Sequence, residues 1–233
     1  MSNLNNAINC LKKLFKEYRK KGLVSVYLWG SIITDEHDPK KSDIDAIGIA
    51  DSRFTAGDSE IKAKLQKLAP ELRDFRLNTL FLSELNGGRI KSRLARLIPL
   101  KLLLLDFCNW RYVAGRKFKQ TDFKLKPPSL DEAICIRLKF IESNYNLSGF
   151  KEEDYGKRQY FCKSLMRLCY YINEKEKGKH PFSYRDLYSK STVQTKRTIE
   201  ILLNLKKKQW EIHKFKKELP KLIEFLNEVK KKC

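Results

Sequence analysis

The chain has 233 residues, 42% of them hydrophobic, which suits one large domain or two small ones. It carries 49 Lys and Arg against 28 Asp and Glu, a formal net charge of +21, and this excess favours an anionic partner such as a nucleic acid, a nucleotide or an acidic surface. No membrane span is expected, because the most apolar run, 98–107, is interrupted by Lys101 and Asp106 and falls far short of the roughly 20 residues that a bilayer requires.

In chain order, Leu4, Ile8, Leu11, Leu14 or Phe15, and Tyr18 recur at helical spacing, which predicts a helix over 4–19 that Gly22 ends. Residues 23–29, rich in Val, Tyr, Leu and Trp, read as a strand, 35–41 as a polar loop containing Pro39, and 43–50 as a second strand. The helical period returns over 59–68, where Pro70 closes it, and 77–82 reads as a third strand ending at Ser83. Gly87-Gly88 marks a loop. A long helical stretch is expected from 92 to 113, kinked or divided at Pro99 and ended by Gly115.

After Gly115 the composition changes. Residues 116–129 are Lys-rich and reach Pro127-Pro128, so a domain boundary is placed here, with residues 1–122 before it and 123–233 after it. Beyond the boundary only helices are predicted, at 130–145, 155–174, 184–208 in one or two pieces, and 217–232. The expected fold class is α+β, a small mixed-sheet domain followed by an all-helical bundle.

Six cysteines stand at 10, 108, 135, 162, 169 and 233, none in a CxxC pair. Cys135, Cys162 and Cys169 lie in apolar helical patterns, where a free thiol behaves as a small hydrophobe. Disulfides are therefore not expected, and a reducing compartment fits. The three histidines, His37, His180 and His213, do not cluster with cysteine, which leaves a structural zinc site without support. The opening MSNLNNAINCLKKLF lacks a signal peptide's apolar core, and the expected location is cytoplasmic.

The chemistry concentrates in Val24 to Ala50, VSVYLWGSIITDEHDPKKSDIDAIGIA. It reads as strand, Gly30-Ser31 turn, charged loop, and a second strand opening on Asp43-Ile44-Asp45. Side chains alternate along a strand, so Asp43 and Asp45 point to one face. Two carboxylates on a rigid strand are hard oxygen ligands suited to Mg2+. Gly30 lets backbone approach a phosphate closely, and the Ser31 hydroxyl is a donor. A short helix starting at 31–35 would add an anion-binding end. Phosphoryl transfer needs these parts together: metal ions to neutralise the triphosphate, a donor-rich turn, and an in-line nucleophile. An Asp-x-Asp pair alone more often decorates a solvated strand face; the whole arrangement carries the weight.

That arrangement, Trp29-Gly30-Ser31 followed after a spacer by Ser42-Asp43-Ile44-Asp45-Ala46, resembles the signature of the polymerase-beta-like nucleotidyltransferase superfamily. The resemblance covers the first 115 or so residues best and is nearest to small nucleotidyltransferase-domain proteins of the aminoglycoside nucleotidyltransferase type, which also carry a C-terminal helical domain. Tyr112-Val113-Ala114-Gly115-Arg116-Lys117-Phe118 is similar to the Gly-containing turn that closes their catalytic domain. The resemblance implies transfer of an NMP group from an NTP to a hydroxyl acceptor, with pyrophosphate release. It implies nucleotide binding, ATP included, at Gly30 and Ser31, and Mg2+ or Mn2+ held by Asp43 and Asp45.

The same family places a third carboxylate on a later, adjacent strand. Here that position falls most naturally at Asn78, a neutral ligand that cannot act as a base. Asp74 shares its parity but lies about 13 Å earlier along an extended strand. Glu142 in the helical domain is a further choice of base. His37 reads as an exposed loop histidine, and Lys40 and Lys41 as loop charges that can attract substrate.

In the second half, Phe161, Leu165, Leu168 and Ile172 form a stripe read as bundle core. Lys157, Arg158, Lys163 and Arg167 are read as a solvated face, with a basic wall over a cleft as the alternative. Tyr170, Tyr171 and Tyr184 are read as packing residues, with stacking on a base as the alternative. Residues 206–232 carry ten lysines against four glutamates and suit nonspecific phosphate affinity. The acceptor is open, though the charge argues for a nucleic acid or protein over a cationic drug. Two other classes stay in view: a catalytically impaired, nucleotide-binding regulatory protein, and a basic nucleic-acid-binding module.

Overall fold

In the computed structural model, which describes residues 3–33, 37, 42–72, 74–145, 154–178, 180–181 and 183–233, the chain divides into two units, Met1–Pro127 and Pro128–Cys233. The first unit opens with helix α1 (Asn3–Tyr18), whose Ala7, Leu11 and Leu14 are fully buried, as the helical spacing requires. Strand β1 (Leu23–Trp29) follows and ends in a 3-10 turn, Gly30–Ile33. Strand β2 (Ile44–Ala50), helix α2 (Asp58–Leu68) and strand β3 (Phe75–Phe81) come next. Three short helices, α3 (Leu82–Leu85), α4 (Arg93–Leu97) and α5 (Leu100–Asp106), lead to strand β4 (Arg111–Gly115).

The four strands form one sheet in the order β3-β2-β1-β4. Strand β2 runs parallel to β3 and antiparallel to β1, and β4 is antiparallel to β1. Each face is covered. On one, Val26, Leu28, Ile44 and Ala46 pack with α1 and α2; on the other, Tyr27, Ile47, Ile49 and Leu80 pack with Leu103 and Leu104 of α5 and with Phe107 and Trp110. A strand covered on both sides reads as a continuous apolar run, which is why IDAIGIA is polar only where it emerges at its start.

The helical stretch expected over 92–113 divides at Pro99, as expected, but its end is corrected: it stops at Asp106, turns through Phe107–Asn109 and gives way to β4. Proline has no N–H for the helical ladder. Beyond it, β1 pairs with this stretch, Tyr27 against Tyr112 and Val26 against Ala114, and that pairing overrides the Leu-rich helical pattern. The strand ends at Gly115 (φ +92), where an added Cβ would stand 2.3 Å from the Val24 carbonyl oxygen.

Among its described residues the second unit is helical: α6 (Leu130–Asn144), α7 (Tyr155–Lys177), α8 (Tyr184–Lys190), α9 (Val193–Lys207) and α10 (Ile212–Lys230). Ser129 and Glu132 close a reciprocal capping box at the start of α6. Phe161, Leu165 and Leu168 are fully buried, and Ile172 is half-buried. The cysteine expectation is corrected here: Cys135 of α6 and Cys233, 98 residues apart in sequence, form a disulfide with their Cα atoms 5.6 Å apart. The chain end after α10 is brought back to α6, a proximity that spacing along the chain does not express. Among the described residues no helix is long and apolar enough to cross a membrane.

Candidate functional site

The antiparallel register of β1 and β2 pairs Trp29 with Asp45. The next residue of β1's chain is Gly30, held at φ +79, a left-handed conformation that glycine adopts without steric cost. The turn therefore folds back over the start of β2. A Cβ built on Gly30 would lie 3.6 Å from Asp45 Oδ2 and 3.8 Å from Asp45 Cβ. Asp45 thus stands against the Gly30 corner, and Asp43 immediately precedes β2, two residues before it. Both aspartates are half-buried, as is Ser31, which sits in the turn. The described turn covers Gly30–Ile33, and residues 34–35 of the short helix expected at 31–35 lie outside the described residues.

Strand β3 lies on the other side of β2, and its parallel register decides what faces the aspartates. Asp45 is paired with Arg76, Ile47 with Asn78 and Ile49 with Leu80. Ile47, Ile49 and Leu80 share one core, so Asp45, Arg76 and Asn78 lie on that same face by alternation. Arg76 is the residue directly beside Asp45, and Asn78 is one pair deeper into the sheet. Strand β3 starts at Phe75, two residues before the expected start at Leu77. Asp74 immediately precedes β3 in a left-handed conformation (φ 45), and its Oδ1 lies 3.6 Å from Arg76 Nη2 and 3.9 Å from Lys62 Nζ. From the sequence, Arg76 stands at the head of the stretch that contains Asn78 and carries no assigned role; the β2–β3 register puts it beside Asp45.

Among the described residues no group of three or more His, Cys, Asp and Glu side chains is arranged to hold a metal ion. Mg2+ commonly uses one or two protein carboxylates and completes its octahedron with water and substrate phosphates. Asp45 beside the glycine corner, with Asp43 two residues earlier in the chain, supplies the carboxylate oxygens that so small a requirement names.

The remaining sequence-predicted residues are described by their own surroundings. His37 is half-buried, while Lys40 and Lys41 lie outside the described residues. Glu142 is engaged by Lys230 at 2.7 Å. Arg158 is buried and donates from Nε to the Trp210 carbonyl oxygen at 2.9 Å, a structural role. Lys163 lies over the Tyr160 ring and Arg167 over the Tyr170 ring. Tyr170 stacks on His180 with centroids 5.4 Å apart, Tyr171 is fully buried, and Lys206 covers the Tyr184 ring at 4.4 Å.

No protein-family model matches the chain, and no curated protein matches it. Among solved structures it is similar to the crystal structure of spectinomycin adenyltransferase AAD(9) from Enterococcus faecialis with ATP and spectinomycin. The TM-score is 0.57 at 18% sequence identity, covering 96% of this chain and 98% of that chain. Likeness at this identity is likeness of fold: a mixed four-stranded N-terminal sheet followed by a helical C-terminal region. In fold the chain therefore resembles that adenyltransferase over nearly its whole length.

Proposed function

We propose that this protein is a metal-dependent nucleotidyltransferase that moves an NMP group from an NTP to a hydroxyl acceptor and releases pyrophosphate. The observation that carries the reading is Asp45 standing against the Gly30 corner at the open end of the sheet. The Gly30 turn offers the outer phosphates a close backbone approach, and Ser31 offers a hydroxyl donor. Asp43 and Asp45 would hold a single Mg2+ or Mn2+, which supplies Lewis-acid neutralisation of the triphosphate. The acceptor oxygen forms a bond to the α-phosphorus as the bond to the pyrophosphate oxygen breaks. A net charge of +21 supports an anionic acceptor, such as a nucleic acid, over a cationic one.

The test is release of pyrophosphate from mixed NTPs with Mg2+ or Mn2+, in the presence of RNA, DNA and protein acceptors. Turnover that disappears in Asp45→Ala is the expected result. A second reading, a protein that holds nucleotide without turning it over, is favoured by Arg76 beside Asp45. Tight NTP binding with no pyrophosphate under any of these conditions would select it.

A further inference from the structure

We infer that Arg76 is a phosphate-binding residue of this site and neutralises charge on a bound triphosphate that would otherwise fall to a second metal ion. The inference rests on the nucleotide-binding part of the proposed function. Three observations support it. Arg76 is the register partner of Asp45 on the neighbouring strand, one inter-strand spacing away, and alternation puts both on one face. Arg76 lies at the same end of the sheet as the Gly30 corner, because β1 ends where β2 and β3 begin. Its side chain is 46% exposed, so its planar, bidentate donor fork is available to a ligand.

The charges set the direction of the effect. Two carboxylates can hold one divalent ion together with phosphates, whereas a guanidinium beside the second carboxylate repels a further cation and attracts the phosphate itself. Asp74 is the competitor: its contact with Arg76 is long, at 3.6 Å, and 44% exposed on the Asp74 side. Exposed pairs of this kind contribute little, so exchanging Asp74 for a triphosphate oxygen costs little. Asp74 then acts as a place-holder for the anion.

The experiment is polarisation titration of a fluorescent ATP analogue and of the matching AMP analogue, each with Mg2+ and with EDTA. The proteins are wild type, Arg76→Ala and Asp74→Ala, with urea melts to establish that each variant is folded. Wild type should bind the ATP analogue in EDTA. Arg76→Ala should weaken that binding about tenfold or more, the size expected of a charged hydrogen bond, and leave AMP affinity unchanged. Asp74→Ala should tighten ATP binding in EDTA by removing the competitor. If ATP binds wild type and Arg76→Ala equally in EDTA, or binds only with Mg2+ and indifferently to residue 76, the role of Arg76 is overturned and the nucleotide site stands. If wild type binds neither analogue in either condition, the nucleotide-binding reading itself fails.

Discussion

Gly30→Ala tests the corner on which the site depends. At φ +79 an alanine is forced into the left-handed region, at a cost of about 1–2 kcal/mol. The new methyl would meet Asp45 Oδ2 at 3.6 Å and Asp45 Cβ at 3.8 Å, ordinary van der Waals distances, so crowding adds little and strain alone sets the stability loss. Gly87→Ala is the matched control: its φ is +86 and an added Cβ meets nothing within 4 Å. Both variants should lose about 1–2 kcal/mol in urea unfolding. Under the proposed function only Gly30→Ala puts a methyl group where a phosphate would approach Asp45, so only it should weaken nucleotide binding. Equal nucleotide affinity in the two variants would refute the placement of the phosphates at this corner. A loss well beyond that of Gly87→Ala would refute the claim that strain alone sets the cost.

Glu84 is fully buried and accepts hydrogen bonds from the backbone amides of Phe81, Lys91 and Ser92, tying the end of β3 to the start of α4. Glu84→Ala orphans those donors and should cost about 3–5 kcal/mol by chemical denaturation, and Glu84→Gln should also destabilise because its NH2 must face at least one of the amides. The cysteines should separate by accessibility. Exposed Cys108 should react with a thiol reagent in the native, unreduced protein, whereas Cys10, its thiol pushed up to about 11 chiefly by burial, should stay protected with Cys162 and Cys169 until unfolding. Reducing Cys135–Cys233, which spans 98 residues, should release two more thiols and lower the stability of the second unit by up to about 4–5 kcal/mol, read by denaturation with and without reductant.

What was legible in the sequence follows from how local each feature is. Strand β1 matches its expected 23–29 span because β-branched and aromatic residues fill it and glycines bound it on both sides. The Gly30–Asp45 proximity was legible because β1 and β2 are consecutive antiparallel strands and alternation fixes which residues of β2 share a face. Strand β4 was not legible. Its neighbours Leu100–Asp106 are genuinely helical, and nothing inside Arg111–Gly115 announces the pairing with β1 that makes it a strand. The residue beside Asp45 on β3 was harder still. Parallel strands joined through a helix have a register set by the packing of α2 against the sheet, not by either strand's own pattern, so the pairing of Arg76 with Asp45 could not be read from the sequence. That pairing bears on the chemistry, because in the proposed site a guanidinium beside Asp45 would bind phosphate directly while the aspartates hold the metal ion.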